Sequence, residues 1–268
     1  MRVAGEATLE IFHRDDFEVQ QKHDASPVTE ADLASQRILV QGLQRLDSSI
    51  PVIAEESAAA PWPERRSWTR AWLVDPLDGT REFVSGRGEF TLNVALVDGQ
   101  NGRPLLGAVR APVLGKSWFG CVDYQGTTGA WQQVGDQDPG LTSIAVSEPN
   151  DPVRIVASRS HRSAEVDAFL EHFGPHELVS MGSSLKLCVL AEGGADLYPR
   201  LGRTMEWDIA AADAVLRGAG GQIVAPSTEA EGSQPLRYNK EDLANPFFLA
   251  TASPEIPWGE AWKEAMRR

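Results

Sequence analysis

The chain has 268 residues, 42% hydrophobic and 24% charged, the make-up of a globular enzyme that can bury a core without disulfides. Its formal net charge is −13, from 38 acidic and 25 basic residues. Such a surface repels DNA and RNA backbones, which sets a nucleic-acid polymer aside as partner, while a small anion stays open wherever bound cations reverse the local sign.

Residues 3–12 predict a short helix. A clearer one follows Pro27, where Ala34, Ile38, Leu39, Leu43 and Leu46 recur at helical spacing, with Thr29 as N-cap and Asp32 in the first turn. Apolar runs at Val52–Ala54, Trp72–Val74, Thr91–Val97, Leu105–Ala111 and Ser117–Val122 predict strands of a largely antiparallel sheet. The stretch 126–152, rich in Gly, Gln, Asp and Pro, is expected to connect an N-terminal α+β half (1–125) to a C-terminal α/β half (153–268). In that second half, strands at Arg154–Ala157, Glu177–Ser180, Ala195–Tyr198 and Gln222–Val224 alternate with helices at Ala164–Phe173, Ser184–Glu192 and Trp207–Gly218. A strand at Phe247–Ala250 and a last helix complete it, so stacked layers of helix and sheet are expected. Cys121 and Cys188 have no metal-ligand spacing and read as free thiols of a reducing compartment. No long apolar run and no signal-peptide core at Met1–Glu6 occur, so a cytoplasmic protein is expected.

Chemistry concentrates in three acidic segments. In Trp72–Thr80 an apolar strand runs into Asp75 and Asp78, followed by Gly79 and Thr80. Pro76 lacks a backbone donor, so the strand cannot simply continue, and the turn can aim both carboxylates and the Leu77 carbonyl at one point. Hard cations such as Mg²⁺ take oxygen ligands of this kind. Alone, the segment also reads as a surface turn. Glu55 and Glu56 end the strand Val52–Ala54, where adjacent carboxylates repel unless something positive lies beside them. Asp208 sits in Met205–Asp208 at the start of an Ala-rich helix, where an acid also complements the helix dipole.

In this order, Glu55-Glu56-Ser57, Asp75-Pro76-Leu77-Asp78-Gly79-Thr80 and Trp207-Asp208 resemble the lithium-sensitive, Mg²⁺-dependent phosphatases that include inositol monophosphatase. Asp24–Asp32, Gly88–Asn93, Gly182–Lys186 and Tyr238-Asn239-Lys240 resemble the branch of bacterial 3′(2′),5′-bisphosphate nucleotidases, the CysQ type. The resemblance implies a layered αβαβα sandwich and hydrolysis of adenosine 3′,5′-bisphosphate to AMP and phosphate. Its phosphosulfate counterpart in sulfur assimilation is a second implied substrate. Two Mg²⁺ ions, with room for a third, are implied on Glu55, Asp75, the Leu77 carbonyl, Asp78 and Asp208. Asp75 would bridge them, and Asp32 with Thr80 would orient and deprotonate the attacking water. The amides of Gly79 and Thr80 would cradle the phosphate, and His161, Ser183, Lys186, Arg200 and Asp208 would hold the nucleotide. Peripheral attachment to the cytoplasmic face of the inner membrane is a further implication.

Rivals are an inositol or sugar-bisphosphate phosphatase of the same superfamily, or a regulator that binds nucleotide without cleaving it. An aspartyl-nucleophile phosphatase is disfavoured, because it needs two acids two apart and Asp75 and Asp78 are three apart. No acidic loop has EF-hand spacing.

Overall fold

The computed structural model describes residues 1–14, 16–21, 27–135, 140–157, 163–226 and 233–267. Helix α1 (Arg2–Phe12) is followed by a short antiparallel strand pair, β1 (Val19–Gln21) and β2 (Pro27–Thr29), and by helix α2 (Glu30–Leu46). Thr29 caps α2 as its sequence predicts: its Oγ1 accepts from the Ala31 amide, while Asp32 accepts from the Thr29 amide.

Strands β3 (Val52–Ala54), β4 (Arg70–Asp78), β5 (Thr91–Asp98), β6 (Pro104–Ala111), β7 (Lys116–Tyr124), β8 (Thr127–Val134) and β9 (Thr142–Ile144) pair in chain order into one sheet. Only the β3–β4 pair is parallel. Short helices α3 (Trp62–Arg65) and α4 (Thr80–Val84) lie in the connections on either side of β4. The 126–152 stretch is not purely a connection, because β8 and β9 lie within it. Gln125 (φ 52°) and Gly126 (φ 76°) make a two-residue turn that folds β8 directly back on β7. The polar, Gly-rich composition there reflects a tight turn and an edge of the sheet.

The second sheet is mixed, with strands β10 (Val153–Ala157), β11 (His176–Ser180), β12 (Leu197–Arg200), β13 (Gln222–Ala225), β14 (Gln234–Pro235) and β15 (Phe248–Thr251) in the order β11-β10-β12-β15-β13-β14. Helices α5 (Ala164–Phe173), α6 (Leu185–Ala191), α7 (Glu206–Gly218) and α8 (Gly259–Ala265) complete the chain. α1 and α2 cover the outer face of the first sheet, α6 and α7 lie between the sheets, and α5 and α8 cover the outer face of the second. The expected αβαβα sandwich results. With helices on both faces, β4 buries seven consecutive residues, which explains why it reads as a continuous apolar run.

Side-chain size sets the spacing between α7 and the first sheet. The helix faces the sheet with Ala210, Ala211 and Ala214, each at most 1% exposed. A Cβ on Gly107 would lie 2.1 Å from the Ala211 carbonyl oxygen, and one on Gly120 2.4 Å from the Ala214 backbone. Backbone therefore lies on backbone, and the N-terminus of α7 is delivered to the strand ends at a fixed depth.

Candidate active site

Glu55 and Asp75 meet because β3 and β4 run parallel with Ala54 opposite Val74. The Glu55 amide donates to the Val74 carbonyl at 3.1 Å, so the two acids leave adjacent strand ends together. Asp208, in the first turn of α7, accepts from the Met205 amide at 2.9 Å. Glu55, Asp75 and Asp208 offer oxygens that all lie within 4.8 Å of one another.

Past Asp75 the β4–β5 register slips. Asp75 faces Asn93 and Asp78 faces Thr91, so β4 carries one extra residue, a bulge at Pro76-Leu77. The strand therefore does continue beyond Pro76, but displaced. Proline suits the bulge because it has no N–H to leave unpaired. Ser35 Oγ of α2 pins it by donating to the Pro76 carbonyl at 2.7 Å. The Leu77 amide donates to Asp75 Oδ1 at 2.9 Å. Asp78 stands beside the three-acid group, and its Oδ2 accepts from Ser183 Oγ and from the Ser184 amide, both at 2.6 Å.

These acids cost free energy in one another's company. Burial raises the Asp75 carboxyl well above the ordinary range, and the charges of Glu55, Asp78 and Asp208 add to this. Burial, then the Asp78 charge, pushes Asp208 up to about 8. An all-oxygen set whose members resist ionising together fits a hard divalent cation, which restores the charged forms. Glu55, Asp75, Asp78, Asp208 and the Leu77 carbonyl are the donors such an ion would find.

Thr80 opens α4 directly after Gly79, whose φ of 95° is left-handed. Its hydroxyl lies 3.3 Å from both Asp32 Oδ1 and the Leu77 carbonyl oxygen. Asp32 is 1% exposed, and burial raises its carboxyl against the lowering bonds from Thr29. The predicted Asp32–Thr80 pair is thus in contact.

A cavity of about 220 Å³ lies against the acids, lined among others by Asp78, Gly79, Ser183, Lys186, Arg200 and Asp208. Lys186 is 7% exposed, donates to the Ser183 carbonyl at 3.0 Å and stands 5.7 Å over the Tyr198 ring. Arg200 donates to the Arg203 carbonyl, and its buried Nε has no partner among the described residues. Tyr198, burial, Asp78 and Asp208 surround that guanidinium, and their net effect holds it more firmly protonated. His161 lies outside the described residues. Sequence reasoning assigned no role to Thr91, Asn93 or Ser184, which buttress Asp78 and Ser183: Thr91 Oγ1 is 2.6 Å from Ser183 Oγ, and Ser184 Oγ donates to Asn93 at 2.8 Å. The Gly88–Asn93 segment was the signal for Thr91 and Asn93, and Gly182–Lys186 for Ser184. Arg81, Tyr198 and Thr204 also line the cavity without having been singled out.

Clustered acids at strand ends, set in a five-layer stack beside a cation-lined cavity, define the class of layered α/β phosphatases. The chain belongs to the inositol monophosphatase family, whose model matches residues 1–262. Among its relatives, the 3′(2′),5′-bisphosphate nucleotidase CysQ of Shigella flexneri is 41% identical over 250 residues, covering 92% of this chain and 94% of that protein. The Escherichia coli K12 protein of the same name is 41% identical over 251 residues, with the same coverage. A crystal structure of CysQ from Bacteroides thetaiotaomicron superposes with a TM-score of 0.78 at 38% identity, covering 94% of each chain. An inositol monophosphatase from Thermotoga maritima, 22% identical, shares the fold with a TM-score of 0.73 over 100% of this chain and 94% of its own. No helix of the described residues is long and apolar enough to cross a membrane.

Proposed function

We propose that this chain is a Mg²⁺-dependent phosphomonoester hydrolase that converts adenosine 3′,5′-bisphosphate to AMP and phosphate, with the 3′-phosphoadenosine phosphosulfate as a second substrate. The observation that carries it is one cavity whose wall holds Asp78 and Asp208, the latter clustered with Glu55 and Asp75, together with the cations Lys186 and Arg200. An inositol monophosphate carries one phosphate, whereas Lys186 and Arg200 in the same cavity suit a second. The 41% identity to CysQ proteins over 92% of the chain supports the same substrate.

Magnesium held by the carboxylates supplies positive charge against the phosphoryl oxygens. Glu55, Asp75, Leu77 O, Asp78 and Asp208 are the donors that would hold it. Thr80 Oγ1 orients the attacking water and takes its proton as its own passes to Asp32 Oδ1, a base whose raised affinity for a proton suits the task. The Gly79 and Thr80 amides face the transferred phosphoryl group. Water attacks in line and the ribose 3′-oxygen leaves. Cys121 and Cys188 are buried free thiols, which accords with a reducing, cytoplasmic setting.

Phosphate release from a panel of nucleotide bisphosphates, inositol phosphates and sugar bisphosphates, with and without Mg²⁺, tests the proposal. Adenosine 3′,5′-bisphosphate is expected to lead the panel, with activity lost in EDTA. Equal or better turnover of inositol monophosphate would refute the nucleotide assignment. Lys186→Ala is expected to raise KM for the bisphosphate at least about tenfold, the order of one lost charge-assisted contact, and to spare a plain aryl phosphate.

A further inference from the structure

The Tyr238-Asn239-Lys240 segment has no part in the chemistry above, yet each of its residues bonds an acid of α7. Tyr238 Oη donates to Asp213 Oδ2 at 2.7 Å. The Asn239 amide donates to Glu206 Oε2, and the Lys240 amide and ammonium both donate to Glu206 Oε1. Glu206 is fully buried and Tyr238 is 2% exposed. Asp208 lies between these two anchor points, two residues from Glu206 and five from Asp213.

The same segment is tied to the first half of the chain. Asn239 Oδ1 accepts from Arg65 Nη1 at 3.2 Å, and Asn239 Nδ2 donates to the Arg65 carbonyl at 2.9 Å. Arg65, 3% exposed, also donates to the Lys240 and Glu241 carbonyls. Beyond it, the Glu206 amide donates to the Leu243 carbonyl, and Asn245 Nδ2 donates to the Met205 carbonyl at 2.8 Å. The start of α7 is therefore held from several directions by a strap that α3 anchors.

We propose that Glu206 and Lys240 are positioning residues: the 238–245 strap fixes the first turn of α7 along its axis and so sets where Asp208 stands relative to Glu55 and Asp75. The physical reason is the tolerance of the site. Mg²⁺ demands near-ideal geometry at short ligand distances, so a small slide of α7 weakens cation binding without removing a ligand. The glycines under α7 fix its height above the sheet but not its position along its own axis. The Glu206 clamp supplies that restraint. This inference rests on the cation reading of the acid cluster.

The test uses the full chain, with Mg²⁺ as the probe in calorimetric titration without substrate, alongside KM and kcat at saturating Mg²⁺ and thermal unfolding in EDTA. Lys240→Met, altering a partly exposed side chain, and Glu206→Gln are expected to weaken Mg²⁺ binding about tenfold. KM for the bisphosphate at saturating Mg²⁺ should stay within twofold of wild type, and Lys240→Arg should restore most of the affinity. A purely structural role predicts a lower unfolding temperature with unchanged Mg²⁺ affinity of the folded protein, and that result in Lys240→Met overturns the proposal. Wild-type protein that takes up no Mg²⁺ overturns the cation reading itself, an outcome distinct from normal uptake by wild type and variants alike, which overturns the strap alone.

Discussion

Ser183 Oγ donates to Asp78 Oδ2 at 2.6 Å, joining residues 105 apart in sequence. Ser183 does so from a left-handed backbone with φ 50°, a conformation that costs a residue with a side chain of order 1 kcal/mol. The bend places its hydroxyl and the Ser184 amide on the same carboxylate oxygen. Ser183→Ala and Ser183→Gly are both expected to lower kcat about tenfold by freeing Asp78. The Gly variant should be the more stable of the two by about 1 kcal/mol in denaturant titration, because glycine relieves the strained φ. Equal stability would show that the backbone there is unstrained.

Asp75 gives a stability–function conflict. Its folded-state proton affinity is raised by burial and by neighbouring acids, so its ionisation destabilises the metal-free fold as pH climbs above the ordinary carboxylate range. Asp75→Asn is expected to abolish turnover yet, in EDTA at pH 8, to stabilise the protein by about 1–2 kcal/mol. The gap should close towards pH 4. Added Mg²⁺ should raise the unfolding temperature of wild type but not of the variant. Thermal scans at both pH values, with and without Mg²⁺, read all of this.

The close seat of α7 predicts a cost for any side chain beneath it. Gly120→Ala would bring a Cβ to 2.4 Å from the helix backbone. Destabilisation of about 1–3 kcal/mol is expected from overpacking. Weaker Mg²⁺ binding should accompany it, because the helix that lifts carries Asp208. Denaturant unfolding and Mg²⁺ titration of the same preparation check the pair.

Away from the site, Asp196 is fully buried and accepts from Arg154 Nη2 at 2.8 Å and from the Arg154 amide at 2.8 Å. Burial alone would raise its carboxyl, but the bonds from Arg154 outweigh it and the net direction is down. A lowered folded pKa means stability that is present above the unfolded value, near 3.8, and lost as pH falls through the folded one. Arg154→Met is expected to cost about 3 kcal/mol at pH 7, the order for an unpaired buried charge. The loss should shrink below pH 4 as Asp196 protonates. A pH-independent deficit in urea titrations would contradict the ion-pair account.

Much of the architecture was legible from local signals. The Thr29 cap, the helical spacing from Ala34 to Leu46 and the apolar runs of β3 to β7 each declare themselves within a few residues, because capping and burial periodicity are short-range effects. The 126–152 stretch holds β8 and β9 where its composition predicts a connection, because Gly and Gln content cannot distinguish a linker from a tight two-residue turn. Glu206 and Asp213 passed unnoticed for the opposite reason: their partners lie 34 and 25 residues away, at Lys240 and Tyr238.

By itself the sequence determined which acids were available, where the longer helices and the apolar strands run, and that the local spacing of Asp75 and Asp78 suits oxygen ligation. Only the tertiary structure decided that Glu55 stands beside Asp75, since that depends on the parallel register of β3 with β4. It also decided that Asp208 reaches them, since that depends on glycines under α7 and a strap at its N-terminus. Carboxylates that repel are brought together by packing energy gathered across the whole core, and no local run of residues encodes that sum.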